Sequence, residues 1–266
     1  MAPCSLPFQD ITAEINSMAA LLEVNGLIYR YGNRIAVDQV SFTIERGEIF
    51  GLLGPNGAGK TTTISCLVGL LAPHAGNMVL SGEPFDPAHR MPMRRNLGLV
   101  PQDLALYEGL SARENLSLFA KLNGVPTTAL AQRIQKYLDF SGLSDRATDR
   151  VQTFSGGMKR RLNLASGIIH EPPIVLLDEP TVGVDPQSRN HLFESIETLK
   201  RAGTSVLYTT HYMEEAQRLC DRIAIMNEGR IIAIGTPKQL VDSLQQENAN
   251  LETVFLKLTG RKLRDE

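Results

Sequence analysis

The stretch GLLGPNGAGKTTTI, Gly51 to Ile64, sets glycines at 51, 54, 57 and 59 around one lysine and follows it with three threonines. Its apolar lead-in reads as the end of a strand, and the run after Lys60 reads as the start of a helix. Glycine admits backbone conformations closed to other residues and lets the main chain approach a ligand with no Cβ in the way. A turn of this composition between strand and helix directs its N–H groups inward as a nest for phosphate oxygens, and the helix N-terminus adds its positive end. Gly54, Gly59, Lys60 and Thr61 fit the spacing G-x-x-x-x-G-K-[ST] of a phosphate-binding loop. In that pattern Lys60 would reach the β- and γ-phosphates of a nucleotide and the Thr61 hydroxyl would hold Mg2+. The expected cradle is Gly54, Pro55, Asn56, Gly57, Ala58, Gly59, Lys60, Thr61 and Thr62.

Outward from the loop, strand and helix signals alternate. "LLEVNGLIYRYG" and "IAVDQVSFTIERGEIFGLL" read as strands, "GNMVLSGEPF" as a short strand between turns, and "NLGLV" as a brief buried strand. Ser111 and Glu114 have capping-box spacing at the start of the helix "SARENLSLFAKL". In "TTALAQRIQKYLDFSGL", Leu130, Ile134, Tyr137 and Leu138 share one face. With the helix after "FSGG", these predict a helical lobe inserted over about residues 103–168. "PIVLLD" is a continuous apolar run of the kind buried on both faces. A helix, the strand "TSVLYTTH", a helix and the hairpin "RIAIMNEGRIIAIG" follow. The expectation is an α/β fold with a mostly parallel sheet, an antiparallel β subdomain and the inserted helical subdomain.

The carboxyl ends of the strands carry the remaining chemistry, where parallel sheets place their ligands. Asp178 and Glu179 close "IVLLDE"; two adjacent acids at a buried strand end are costly without a positive charge nearby. Mg2+ would supply it, with Asp178 on the metal side, while Glu179 would polarise a water for attack on the γ-phosphate. His211 closes the next strand and Gln102 ends "LGLVPQ"; neither carries a specific signal by spacing alone.

The chain has 266 residues, 42% hydrophobic and 21% charged, with a net charge of −2. That balance gives no reason to expect a nucleic-acid partner. Cys4, Cys66 and Cys220 are far apart and odd in number, which argues for a reducing compartment rather than a disulfide framework. No apolar run approaches the ~20 residues of a membrane span. The first residues, rich in neither lysine nor arginine, make a poor secretory signal. The expected organisation is a loose leader over 1–20, a nucleotide-binding domain over 21–235 and a helical tail over 236–266.

"FSGGMKRRLNLA" resembles the signature motif of the ATP-binding cassette (ABC) family through Ser155, Gly156 and Gly157. The resemblance runs from about Leu22 to Gly235. Tyr31 is similar to the residue that stacks on adenine, Gly54–Thr62 to the Walker A loop, and Gln102 to the Q-loop. Asp178–Glu179 resembles the Walker B pair, Asp185 in "GVDP" the D-loop, and His211 the switch histidine. The resemblance implies catalytic work at Glu179, His211 and Gln102, metal contacts at Thr61, Gln102 and Asp178, and nucleotide contacts at Tyr31, the loop, the signature and Asp185. Ser155 can also cap its own helix. Tyr29 sits two residues from Tyr31 on the same strand face, so preferring Tyr31 rests on the resemblance.

In the family, one protomer's signature contacts ATP held by another's loop. The resemblance therefore implies two nucleotide-binding domains, this chain with a copy or with a paralogue, closing head to tail around two ATP. It also implies a separate integral membrane permease docked near Gln102 to Leu122, and a cytoplasmic site at the membrane face. Met158 in place of the signature's usual glutamine, Val184 in place of the D-loop leucine, and "DPQSR", "THYMEEA" and the tail resemble the ABC-2 type drug- and antibiotic-export branch. "KRR" at Lys159–Arg161 reads as a solvated helix face. Two other classes compete: a soluble ABC ATPase acting on ribosomes or DNA, and a regulatory module that hydrolyses nothing. The single cassette, the absence of a heptad run and of a basic surplus argue against the first, and the presence of Glu179 and His211 argues against the second.

Overall fold

The computed structural model describes residues 20–86, 93, 95–246 and 249–260. The leader expected over 1–20 lies outside the described residues except for Ala20, as do the last residues of the tail, 261–266.

Two sheets form. β1 (Leu22–Tyr31), β2 (Arg34–Ile44), β4 (Ala75–Leu80) and β5 (Glu83–Pro84) make an antiparallel sheet in the order β2-β1-β4-β5. β3 (Ile49–Leu53), β6 (Leu97–Val100), β7 (Ile174–Asp178), β8 (Ser205–Thr210), β9 (Arg222–Asn227) and β10 (Arg230–Gly235) make the second, in the order β10-β9-β3-β8-β7-β6. Neighbours in the second sheet run parallel except β9 and β10. That pair turns at Glu228 and Gly229, both at positive φ, as a two-residue primed hairpin turn requires.

β7 explains why its sequence shows no polar alternation. Ile174 and Leu176 enter the core beneath the antiparallel sheet, whereas Val175 and Leu177 enter the core beneath the helices. Successive side chains leave opposite faces of a strand, and here both faces are covered.

The α-helices with bounds among the described residues are α1 (Lys60–Leu67), α2 (Ala112–Leu122), α3 (Thr127–Ser141), α4 (Gly156–Ile168), α5 (Pro186–Arg201), α6 (Met213–Leu219), α7 (Pro237–Asp242) and α8 (Leu251–Thr259). α2 begins in a full capping box of Ser111 and Glu114. On α3, Ile134, Tyr137 and Leu138 are buried and Leu130 half-buried against the same core. α2, α3 and α4 pack on one another through Leu116, Ala120, Leu138 and Leu162. Leu240 of α7 and Leu251, Val254 and Phe255 of α8 join that core, so these tail helices are packed elements. Among the described residues no helix is long and apolar enough to cross a membrane.

Register sets the working edge. Leu53 pairs with Thr210, Asp178 with Thr209, and Val100 with Leu177. The parallel strands therefore end level, and the glycine loop, His211, Asp178–Glu179 and Gln102 leave one rim of the sheet in that lateral order.

Candidate functional site

A cavity of about 600 Å3 opens on this rim. Tyr31, Asn56, Gly57, Gly59, Lys60, Thr61, Thr62, Gln102, Glu179 and His211 line it. Gly54, Pro55 and Ala58 shape the loop from behind. A Cβ on Gly54 would lie 2.3 Å from the Met226 carbonyl oxygen, and one on Gly59 2.4 Å from that of Ala36. Gly59 also holds φ at 107°, a conformation that L side chains rarely adopt. The close packing of the loop against β2 and β9 thus depends on residues without side chains.

Gly59 is the N-cap of α1 and contributes no capping side chain. The first N–H groups of that helix face the cavity with no acceptor from the cap, the arrangement that suits an oxyanion. Lys60 supplies the cation. Its Nζ donates to the carbonyls of Gly54 (2.7 Å) and Pro55 (3.0 Å) and pairs with Glu179 Oε1 at 3.0 Å. The other Glu179 oxygen, Oε2, is 2.9 Å from His211 Nδ1. One carboxylate therefore bridges the loop lysine and the switch-position histidine.

Glu179 turns left-handed after β7, at φ 44°. Non-glycine residues adopt that region at a cost of about 1 kcal/mol, and such strain concentrates at functional sites. The departure lets adjacent acids face different partners. Asp178 stays in the strand line, accepts from Thr209 Oγ1 at 2.7 Å and from the Thr61 hydroxyl, and burial pushes its carboxyl up. Thr209 Oγ1 in turn accepts the Glu179 N–H at 3.0 Å. The Thr61 hydroxyl and the Asp178 carboxylate, the latter braced by Thr209, suit Mg2+, which keeps waters and takes its remaining ligands from substrate phosphates. Among the described residues no cluster of three or more histidines, cysteines and acids offers an all-protein cage. Bound there, Mg2+ would neutralise phosphate charge, and Thr61 and Asp178 would hold it.

Ser155, Gly156, Gly157 and Asp185 do not line this cavity. Ser155 caps α4 by accepting the Met158 N–H, and Asp185 caps α5 by accepting the Ser188 N–H at 2.9 Å. The two helix starts touch: a Cβ on Gly157 would lie 2.0 Å from Ser188 Oγ.

"KRR" departs from the expectation of a solvated face. Lys159 pairs with Glu108, and Arg161 Nη1 donates to the Ser141 carbonyl at 2.5 Å. Arg160 donates to the Gln102 carbonyl and, at 3.1 Å, to that of Val182. The helix places Arg160 over the loop carbonyls of Gln102 and Val182 and Arg161 over the carbonyl that ends α3, which periodicity does not reveal.

Tyr31 is 53% exposed and lines the cavity, while Tyr29 is half-buried behind it. A register irregularity between Tyr29 and Arg30 breaks the simple alternation, and the two rings meet edge to face at 4.9 Å. Sequence reasoning passed over Arg34, Ala36, Val182 and Tyr212, which also line the cavity. Tyr212 packs on His211 with centroids 4.1 Å apart; its place next to the histidine was the available signal. Thr209, the brace between the acids, had none.

An α/β core whose glycine loop, paired acids and histidine share one rim defines a phosphate-loop ATPase. Residues 37–182 match the family model described as ABC transporter. The chain is 44% identical over 224 residues to the linearmycin resistance ATP-binding protein LnrL of Bacillus subtilis strain 168, covering 84% of this chain and 72% of that one. It is 42% identical over 226 residues to the Nod factor export ATP-binding protein I of Cupriavidus metallidurans, covering 85% and 74%. Among solved structures, an ATP binding subunit of an ABC transporter superposes with TM-score 0.80 at 33% identity, over 90% of this chain and 99% of that one. CbiO1 from Clostridium perfringens, part of the ABC transporter complex cbiONQ, gives 0.77 at 27% identity, over 91% and 95%. The chain belongs to the ABC transporter family, as an ATP-binding subunit and an ATPase coupled to transport.

Proposed function

We propose that the chain is the ATP-hydrolysing subunit of an exporter, closing with a second nucleotide-binding domain around two Mg-ATP and driving a separate membrane permease from its cytoplasmic face. The observation that carries the catalytic part is the Glu179 carboxylate held between Lys60 and His211 on the wall of a cavity that also exposes Tyr31. Tyr31 offers a ring face for adenine, the loop amides and Lys60 take the phosphates, and Thr61 with Asp178 takes Mg2+. Glu179 then orients and polarises the attacking water, and His211 fixes the carboxylate.

Dimerisation is supported by what the cavity lacks. Ser155, Gly156, Gly157 and Asp185 lie outside it in their own chain, on helix starts whose N–H groups and acid suit a facing nucleotide. Export is supported by the names of two relatives, a resistance protein and an export protein. A permease is supported by the neighbour that forms part of a transporter complex. Exposed Leu104, Tyr107 and Leu122 supply apolar side chains along the segment from Gln102 to Leu122 for it.

The test is to isolate the chain from its native membranes with whatever integral protein accompanies it, and to measure ATP turnover and efflux in vesicles. Turnover that rises with a transported compound, together with ATP-dependent dimers by sedimentation, supports the reading. A chain that never accompanies a membrane protein sinks it.

A further inference from the structure

Glu215 on α6 is 3% exposed and receives three hydroxyls on a single oxygen. Tyr208 Oη donates to Oε2 at 2.9 Å, Thr210 Oγ1 at 2.9 Å and Thr181 Oγ1 at 3.0 Å. Burial drives the Tyr208 phenol far above its ordinary value, so it remains a donor. Thr210 precedes His211 and itself accepts the Tyr212 N–H at 2.9 Å; Thr181 stands two residues after Glu179. One carboxylate thus gathers the end of β8 and the segment beyond β7, the two places from which the histidine and the glutamate depart.

Its other oxygen is different. Glu215 Oε1 is buried with no hydrogen-bond partner, and so is Nε of Arg189 on α5. The two atoms face each other at 3.8 Å, outside hydrogen-bond reach. Buried polar atoms are rarely left unpaired, and these two complementary ones face each other across about 1 Å more than a hydrogen bond spans. Arg189 lies one turn beyond Asp185, the N-cap of α5, and its guanidinium also covers the Tyr212 ring at 5.8 Å. A shift of about 1 Å at the start of α5 completes the bond.

We propose that Glu215 is a positioning residue for ATP hydrolysis, and that Arg189 closing on its Oε1 couples displacement of Asp185 and the start of α5 to the placement of His211 against Glu179. The inference rests on the roles given above to Glu179 and His211. In E215Q the amide oxygen still receives the three hydroxyls, but the amide N–H groups now face Arg189, so packing survives and the acceptor is lost.

The test measures ATP turnover and nucleotide affinity of the full chain, with E179Q as a control. E215Q and R189Q should each lower kcat at least about tenfold with KM for ATP within about twofold, and the double variant should be no slower than the slower single one. R189K, which keeps the charge and a donor, should recover part of the rate. Wild-type kcat in both single variants, or effects that multiply in the double one, overturns the inference. Should E215Q fail to fold, R189Q and R189K on the half-exposed α5 residue read the same bond. Turnover surviving in E179Q would instead defeat the assignment of Glu179, a separate failure.

Discussion

The ammonium of Lys60 lies 3.0 Å from Oε1 of Glu179, with side chains only 4% and 7% exposed. The cation expected on phosphate and the carboxylate expected on water are thus each other's partner. Removing one member of such a buried pair leaves an uncompensated charge.

Lys60→Ala should therefore act twice. Nucleotide affinity should fall in a direct titration, because the cationic end of the cradle is gone. Stability should drop by about 3 kcal/mol in denaturant, because Glu179 keeps only His211. Adding Glu179→Gln should restore stability without restoring affinity. Unchanged affinity in the single variant would count against the cradle.

Glu179→Gln alone should retain ATP and lose turnover by ~10² to 10⁴, the range of a removed general base. Phosphate release in a single turnover, beside retained nucleotide in a filter assay, reads both. Normal release would refute the role.

Gly157, the second residue of α4, has no room for a methyl group. Gly157→Ala would set a Cβ 2.0 Å from Ser188 Oγ and 2.7 Å from Ser188 Cβ, pushing α4 from α5. Turnover and melting temperature should both fall. Ser188→Gly in the same chain should recover much of the turnover, while costing about 1 kcal/mol in the helix. No recovery would place the defect elsewhere.

Glu48 gives a pH prediction far from the chemistry, at the end of β3 opposite the glycine loop. Burial raises its carboxyl above the ordinary 4.5, against the pull of the Glu45 N–H and of Arg222. A raised value means that the native state holds a proton the unfolded chain has already released. Its contribution is complete below pH 4.5 and is lost as pH rises through the raised value. Glu48→Gln should flatten that decline in denaturation curves taken across this window and leave ATP turnover unchanged. Parallel curves for the two proteins would refute it.

Particular elements show what one-dimensional reading reaches. The glycine loop was legible because a phosphate nest needs consecutive residues of fixed type, so its spacing survives in the chain itself. The α/β fold was legible in the alternation around "IVLLD", since burial on both faces removes polar positions from a strand. The capping box at Ser111 was legible for the same local reason.

Tertiary structure decided what depends on register between strands distant in sequence. Leu53 beside Thr210 and Asp178 beside Thr209 bring Lys60, Glu179 and His211 to one wall, and the left-handed turn at Glu179 aims adjacent acids at different partners. The irregularity in β1 set Tyr31 at the cavity and Tyr29 behind it, and folding laid Arg160 across two loop carbonyls where a helical repeat shows only a charged face. Composition and spacing determined which chemistry the chain carries. Only folding determined which groups meet, because a hydrogen bond requires about 3 Å and sequence separation says nothing of that distance.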